Sequence, residues 1–351
     1  MRARAGHALG RRRGREVTAW GRARGWFGAR RRFEFVATVA MIIALTAAIG
    51  ALLLLPKAAL SRMRPMPAIA EAAAPIDPDP QLAELRRVME SYGPVVTQQV
   101  SGDDGRLSAV LGHPRQRGDI DTLAREIGPA VTEITELWGP DWAQTAVVAI
   151  ASGPAEFAAL THATGMVSPS VAAASVADPF LPGTRPTGQR VVFGPDAGRR
   201  LGSQGLRDTL RHELTHVAAR ARTVDGSPQW MLEGFAEYSA RRDEHESFTQ
   251  QAPLLAARAR SGELPAELPA DATFAPTAGN DAALAYEQAW SANAFAAGEF
   301  GEPKLVELYR RVATGPKDAD ALDATLRACL GVGYRDFVDR WRAWLESRID
   351  S

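Results

Sequence analysis

The sequence predicts an α+β fold, with a small mixed sheet in its N-terminal part, a helical C-terminal part, and one transmembrane helix ahead of both. Short β-branched runs all lie before residue 194, whereas the pattern beyond residue 203 is almost entirely helical. No regular alternation of strand and helix links the two halves.

The first element is a basic arm. Residues 1–34 hold 11 Arg against Glu16 and Glu34, so the other 317 residues of this formally neutral chain are net acidic. A main domain of that charge lacks the basic groove that nucleic acid requires, so nucleic-acid binding is not expected. From Phe35 to Leu55 run 21 residues without a charge. At about 1.5 Å per helical residue they span roughly 30 Å, the thickness of a hydrocarbon core. Arg30, Arg31 and Arg32 precede the stretch, which predicts a cytoplasmic N-terminus and an extracytoplasmic bulk of the chain. A cleaved signal is the rival reading. Its best small-residue site, Ala68-Ile69-Ala70, lies far downstream of the apolar core. A twin-arginine export signal fits less well, because the segment is rich in Leu and Ile.

Residues 56–80, rich in Pro and Ala, read as a linker. The folded domain is expected over 81–351, with an α/β part to about 202 and a helical part from 203. A short helix, a hairpin turning at Gly102–Gly105 and a helix over about 119–138 come first. Ala146–Ile150 follows as a buried strand, and Arg190–Phe193 as another. Residues 163–189, rich in Gly, Pro, Ser and Ala, read as a long surface loop. The chain closes on an amphipathic helix carrying Phe337, Val338, Trp341, Trp344 and Leu345.

Cys329 is the only cysteine, so no intrachain disulfide and no cysteine-based zinc site can form; Leu326 and Leu330 suggest a core thiol. His113, His162 and His245 are isolated and read as surface or loop residues. There is no Gly-x-Ser-x-Gly elbow, phosphate-cradling glycine loop or Cys-x-x-Cys pair.

Residues 212–216 read His-Glu-Leu-Thr-His. Leu206, Leu210, Leu214 and Val217 set an apolar helix face, and His212 lies about 160° round from Leu214 at about 100° per residue. Two imidazoles one turn apart can converge on one zinc ion. Glu213 stands beside it, able to take a proton from a zinc-bound water. After a turn at Thr223–Gly226, Ser227 reads as an N-cap and Pro228 as the first residue of a second helix. On that helix Glu233 supplies a third ligand and leaves a fourth position open, as catalytic zinc needs. Gly234 would allow a close helix approach. Glu237, one turn on, is the candidate to accept the far N–H of a ligating histidine, and is the alternative third ligand.

His212-Glu213-x-x-His216 followed by Trp230-x-x-Glu233-Gly234-x-Ala236-x-Tyr238 resembles the gluzincin branch of the peptidase MA superfamily. The metzincin pattern is absent, since Ala219 and Arg222 stand where that group has Gly and its third His. The resemblance implies a zincin-like domain, one zinc per chain held by His212, His216 and Glu233, and a peptide or protein substrate. It also implies a strand whose edge binds extended substrate, for which Arg190–Phe193 is the candidate, and a Tyr or His facing the oxyanion, for which Tyr286 is. The expected function is a membrane-anchored zinc metallopeptidase, with an endopeptidase favoured because no free-amine anchor motif precedes the zinc helix. The alternative is a surface binding or assembly protein stapled by zinc without turnover.

Overall fold

The computed structural model describes residues 80–102, 105–163, 171–181, 183–243, 246–275 and 279–348. The basic arm, the apolar stretch 35–55, nearly all of the linker and His245 lie outside them. Among the described residues no helix is long and apolar enough to cross a membrane.

Five strands form one mixed sheet in the order β1-β2-β3-β5-β4. They are β1 (Val96–Ser101), β2 (Leu107–Gly112), β3 (Val147–Ile150), β4 (Ala173–Val176) and β5 (Arg190–Phe193). The β1–β2 hairpin is antiparallel, as the turn at Gly102–Gly105 predicts. The next two pairings, β2–β3 and β3–β5, are parallel. A parallel pair needs a crossover, and α2 (Arg117–Trp138) provides it between β2 and β3. Strands and helices therefore alternate here, against the expectation that they segregate throughout.

Parallel central strands bury both faces, and the sequence splits accordingly. Val110, Val148, Ile150, Val191 and Phe193 join one core with α2 and α4 (Ala197–Ala219). Their neighbours Ala109, Leu111, Ala149, Ala151 and Val192 join a second core with α1 (Pro80–Glu90) and α3 (Pro154–Thr161). Each large apolar side chain fully buried this way contributes about 1.5–3 kcal/mol.

Two expectations are corrected here. The segment 163–189 is not all loop, because β4 lies within it and pairs antiparallel with β5. As a result β5 is an interior strand with all four residues buried, and among the described residues β4 is one edge strand of the sheet and β1 the other. His113 is also not a surface residue. It is 5% exposed, with Nε2 3.0 Å from the Glu156 carboxylate and Nδ1 2.9 Å from Pro94 O. Glu156 has no exposure at all, so this pair satisfies a carboxylate that burial would otherwise penalise.

After β5 the chain is helical. α4 is broken at Gly202, whose φ of 67° suits glycine, so the segment bearing the histidines starts afresh after it. α5 (Gln229–Arg241), α6 (Phe248–Gln251), α7 (Pro253–Arg260), α8 (Asn280–Phe300), α9 (Glu302–Val312), α10 (Ala319–Leu330) and α11 (Tyr334–Arg348) complete the fold. Trp138 of α2 meets Phe235 of α5 at 5.8 Å and Tyr309 of α9 at 5.3 Å between ring centroids, joining three helices edge to face. The C-terminal amphipathic helix packs as its pattern predicts, with Phe337, Val338, Trp341 and Leu345 buried. Cys329 is buried too, and burial raises its pKa.

Candidate metal centre

The apolar stripe of α4 decides where its histidines point. Leu206, Leu210 and Leu214 are buried, while the His212 and His216 side chains are 13% and 21% exposed on the opposite face. Two ties fix this helix against its neighbours. Arg211 forks onto Glu133 of α2, with Nε–Oε2 at 2.6 Å and Nη2–Oε1 at 3.1 Å. Burial opposes the guanidinium charge, but Glu133 and Glu126 outweigh it and raise the pKa. On the other side the Thr215 and Ser239 hydroxyls hydrogen-bond at 2.9 Å, bridging α4 and α5.

The chain then folds back to α5, but not through the cap that the sequence suggests. Pro228 occupies the N-cap position, and Ser227 instead donates to Val224 O and accepts from Gly315 N–H. The N–H of Gln229 is satisfied by Asp271 at 2.8 Å. Gly234 permits a close approach, and the partner is α8. A Cβ at Gly234 would lie 2.2 Å from Asn293 Nδ2 and 2.4 Å from Ala289 O, so only glycine fits. The remaining motif residues serve packing. Trp230 and Ala236 are buried, and Tyr238 donates to Glu302 at 2.8 Å.

These contacts bring three donors together. His212 Nε2 and His216 Nε2 are 3.1 Å apart, and Glu233 Oε2 lies 3.3 Å from the first and 3.7 Å from the second. A tetrahedron with metal–ligand bonds of about 2.0–2.1 Å has edges of about 3.3–3.4 Å, so the spacing suits zinc. Two imidazole nitrogens at 3.1 Å also require a cation or proton between them. Among the described residues this is the only group of three His, Cys, Asp or Glu side chains able to hold a metal ion.

Glu237 stands one turn beyond Glu233, with Oε1 3.1 Å from His212 Nδ1 and Oε2 paired with Arg241. The His212 contact is an ion pair whose angle departs from an ideal hydrogen bond. Burial disfavours every charge here, yet the mutual contacts prevail. They raise the His212 pKa well above its ordinary value and lower those of Glu233 and Glu237. Burial first, then the Glu233 and Glu237 carboxylates, push the Tyr286 phenol upward, so it keeps its proton and remains a donor.

A cleft of about 550 Å³ opens beside the donors. His212, Glu213, Glu237 and Tyr286 line it, together with Val171, Ala172 and the first β4 residue, Ala173. Phe274 packs against the Tyr286 ring at 5.2 Å. All six residues singled out from sequence thus gather in one region: His212, Glu213 and His216 on α4, Glu233 and Glu237 on α5, and Tyr286 on α8. Sequence reasoning missed β4, because its Ala-rich run lacks strand alternation. It also missed Arg241, although Glu233, Glu237 and Arg241 recur every four residues along one helix face.

No family model matches the chain, and no curated protein matches it. Among solved structures it is similar to an M1 zinc metallopeptidase from Deinococcus radiodurans, at 16% identity and a TM-score of 0.37. It is likewise similar to a point mutant of a two-domain M1 zinc metallopeptidase bound to L-arginine, at 16% identity and a TM-score of 0.39. These matches cover 73% of this chain and 52–53% of the others, so the chain spans about half their length.

Proposed function

We propose that this chain is a zinc-dependent metallopeptidase, anchored in a membrane through residues 35–55 with its folded domain on the extracytoplasmic side. The observation that carries the catalytic reading is the three-donor set of His212, His216 and Glu233, spaced 3.1–3.7 Å apart beside an open cleft that Glu213 lines. A zinc ion used only as a staple needs neither the cleft nor the extra carboxylate, which favours turnover over the binding-protein alternative.

His212, His216 and Glu233 would hold the ion, and Glu237 would orient His212. Bound zinc supplies Lewis acidity, polarising a carbonyl and lowering the pKa of water to about 7. Glu213 accepts the proton of the attacking water and delivers it to the leaving amine. The protonated Tyr286 phenol donates to the oxygen that gains charge. The free edge of β4 offers backbone groups to an extended peptide, the role that sequence had given to Arg190–Phe193. The lack of a free-amine anchor motif ahead of the zinc helix favours an endopeptidase.

The test replaces Glu213 by Gln in the full chain and measures hydrolysis of a peptide library together with bound zinc. Peptide cleavage should fall by about 10²–10⁴-fold, while the zinc content stays at one per chain. Cleavage at the wild-type rate would refute the assignment.

A further inference from the structure

The α5 stripe does not stop at Glu237. Arg241 lies one further turn along, 29% exposed, and its two terminal nitrogens have different tasks. Nη2 pairs with Glu237 Oε2, while Nη1 donates to Gln251 O at 3.0 Å, the last carbonyl of α6. Glu237 Oε1 meanwhile faces His212 Nδ1 at 3.1 Å. The two carboxylate oxygens are thus held from opposite sides.

Like charges one helical turn apart repel, and Glu233 and Glu237 are such a pair. Glu213 adds a third carboxylate to the same cleft. A carboxylate in that setting, held only by an off-line contact to one imidazole, would be free to rotate or swing away. A guanidinium with one nitrogen pinned to a backbone carbonyl supplies both the countercharge and the anchor. Arg241 also lines the cleft, where its charge is already paired with Glu237.

We infer that Arg241 is a positioning residue of the metal centre, acting through Glu237 to hold the His212 ring with Nε2 aimed at the metal. This rests on the zinc reading proposed above. It makes Glu233, Glu237 and Arg241 one device on three successive turns of a helix: ligand, orienting carboxylate and the anchor of that carboxylate.

The experiment uses the full chain with Arg241→Met, Arg241→Lys, Glu237→Gln and the Arg241→Met/Glu237→Gln double variant. Zinc affinity is read by competition with a chelator, and thermal melting and far-UV circular dichroism report the fold. Visible spectra of the cobalt-substituted chains report the ligand field. Arg241→Met should weaken zinc binding by about tenfold, the lower end of the effect of losing an outer partner of a ligating histidine. It should also shift the cobalt spectrum while the circular dichroism is retained. Lysine can pair with Glu237 but cannot reach Gln251 O as well, so Arg241→Lys should stay within about threefold of wild-type affinity. In the Glu237→Gln background the Arg241→Met change should cost little more, because its route to His212 is already cut. Wild-type zinc affinity in Arg241→Met would overturn the inference, as would a loss that adds in full to that of Glu237→Gln. Failure of the unmodified chain to bind zinc would instead overturn the metal-centre reading itself, which separates the two claims.

Discussion

Replacing Gly234 by Ala tests how the candidate metal-binding motif is built into the fold. The added Cβ would sit 2.2 Å from Asn293 Nδ2, 2.4 Å from Ala289 O and 2.7 Å from Ala289 C. The first contact could ease by a shift of the Asn293 side chain, although that amide is itself tied to Trp230 O and Ala289 O. The other two are backbone and cannot rotate away, so α5 and α8 must separate by about 1 Å to restore ordinary contact. Overpacking of this kind costs about 3 kcal/mol. The higher helix propensity of alanine returns about 1 kcal/mol. The net loss of about 2 kcal/mol corresponds to a fall in Tm of about 4–8 °C in a domain of this size. The same separation shifts α5, which moves Glu233 relative to His212 and His216 on α4, so zinc affinity should fall along with stability. Calorimetry of the metal-free variant and chelator competition on the folded variant measure the two effects. An unchanged or raised Tm would show that propensity outweighs the clash, refuting the claim that glycine is required by the α5–α8 seam.

Two further outcomes follow from the site. Gly194 N–H donates to Ala172 O, so the neighbouring residue Ala173 turns its own N–H and C=O toward the free edge of the sheet. Ala173→Pro removes that outward donor, and kcat/KM for extended peptides should drop by about tenfold, the worth of one hydrogen bond; steady-state kinetics showing no change would argue against strand addition at β4. Removing zinc with a chelator should lower Tm reversibly, because the ion binds only the folded arrangement of donors. At a zinc concentration about 1,000 times Kd the stabilisation is about 4 kcal/mol. A melting curve indifferent to metal would contradict the ligand set.

The convergence of His212, His216 and Glu233 was the most legible feature of the sequence, and the reason is local geometry. Four residues make one helical turn, so His212 and His216 announce a shared face, and a short helix–turn–helix is the shortest route that brings Glu233 back to them. Tyr286 was harder, because its distance from the histidines depends on the α5–α8 packing that Gly234 permits. The strands β3 and β5 stood out as apolar runs, but their place in the sheet did not. An interior strand and an edge strand have the same local pattern, and the Ala-rich β4 that covers β5 carries almost none. The parallel pairing of β2 with β3 was hidden for a related reason, since it is set by where the α2 crossover docks. His113 looked isolated because its partner Glu156 is 43 residues away. Ser227 shows that a good capping sequence can be recruited elsewhere, here to the loop at Gly315.

The central claim is that His212, His216 and Glu233 share one metal ion with a position left open. Anomalous diffraction at the zinc edge, from crystals of the zinc-loaded chain, addresses it directly. One peak should appear among the three side chains, about 2.0–2.2 Å from both imidazole nitrogens and a Glu233 oxygen, with its remaining face toward the cleft. A zinc-loaded crystal with no peak there, or with Glu233 turned away from a metal held by other residues, would contradict it.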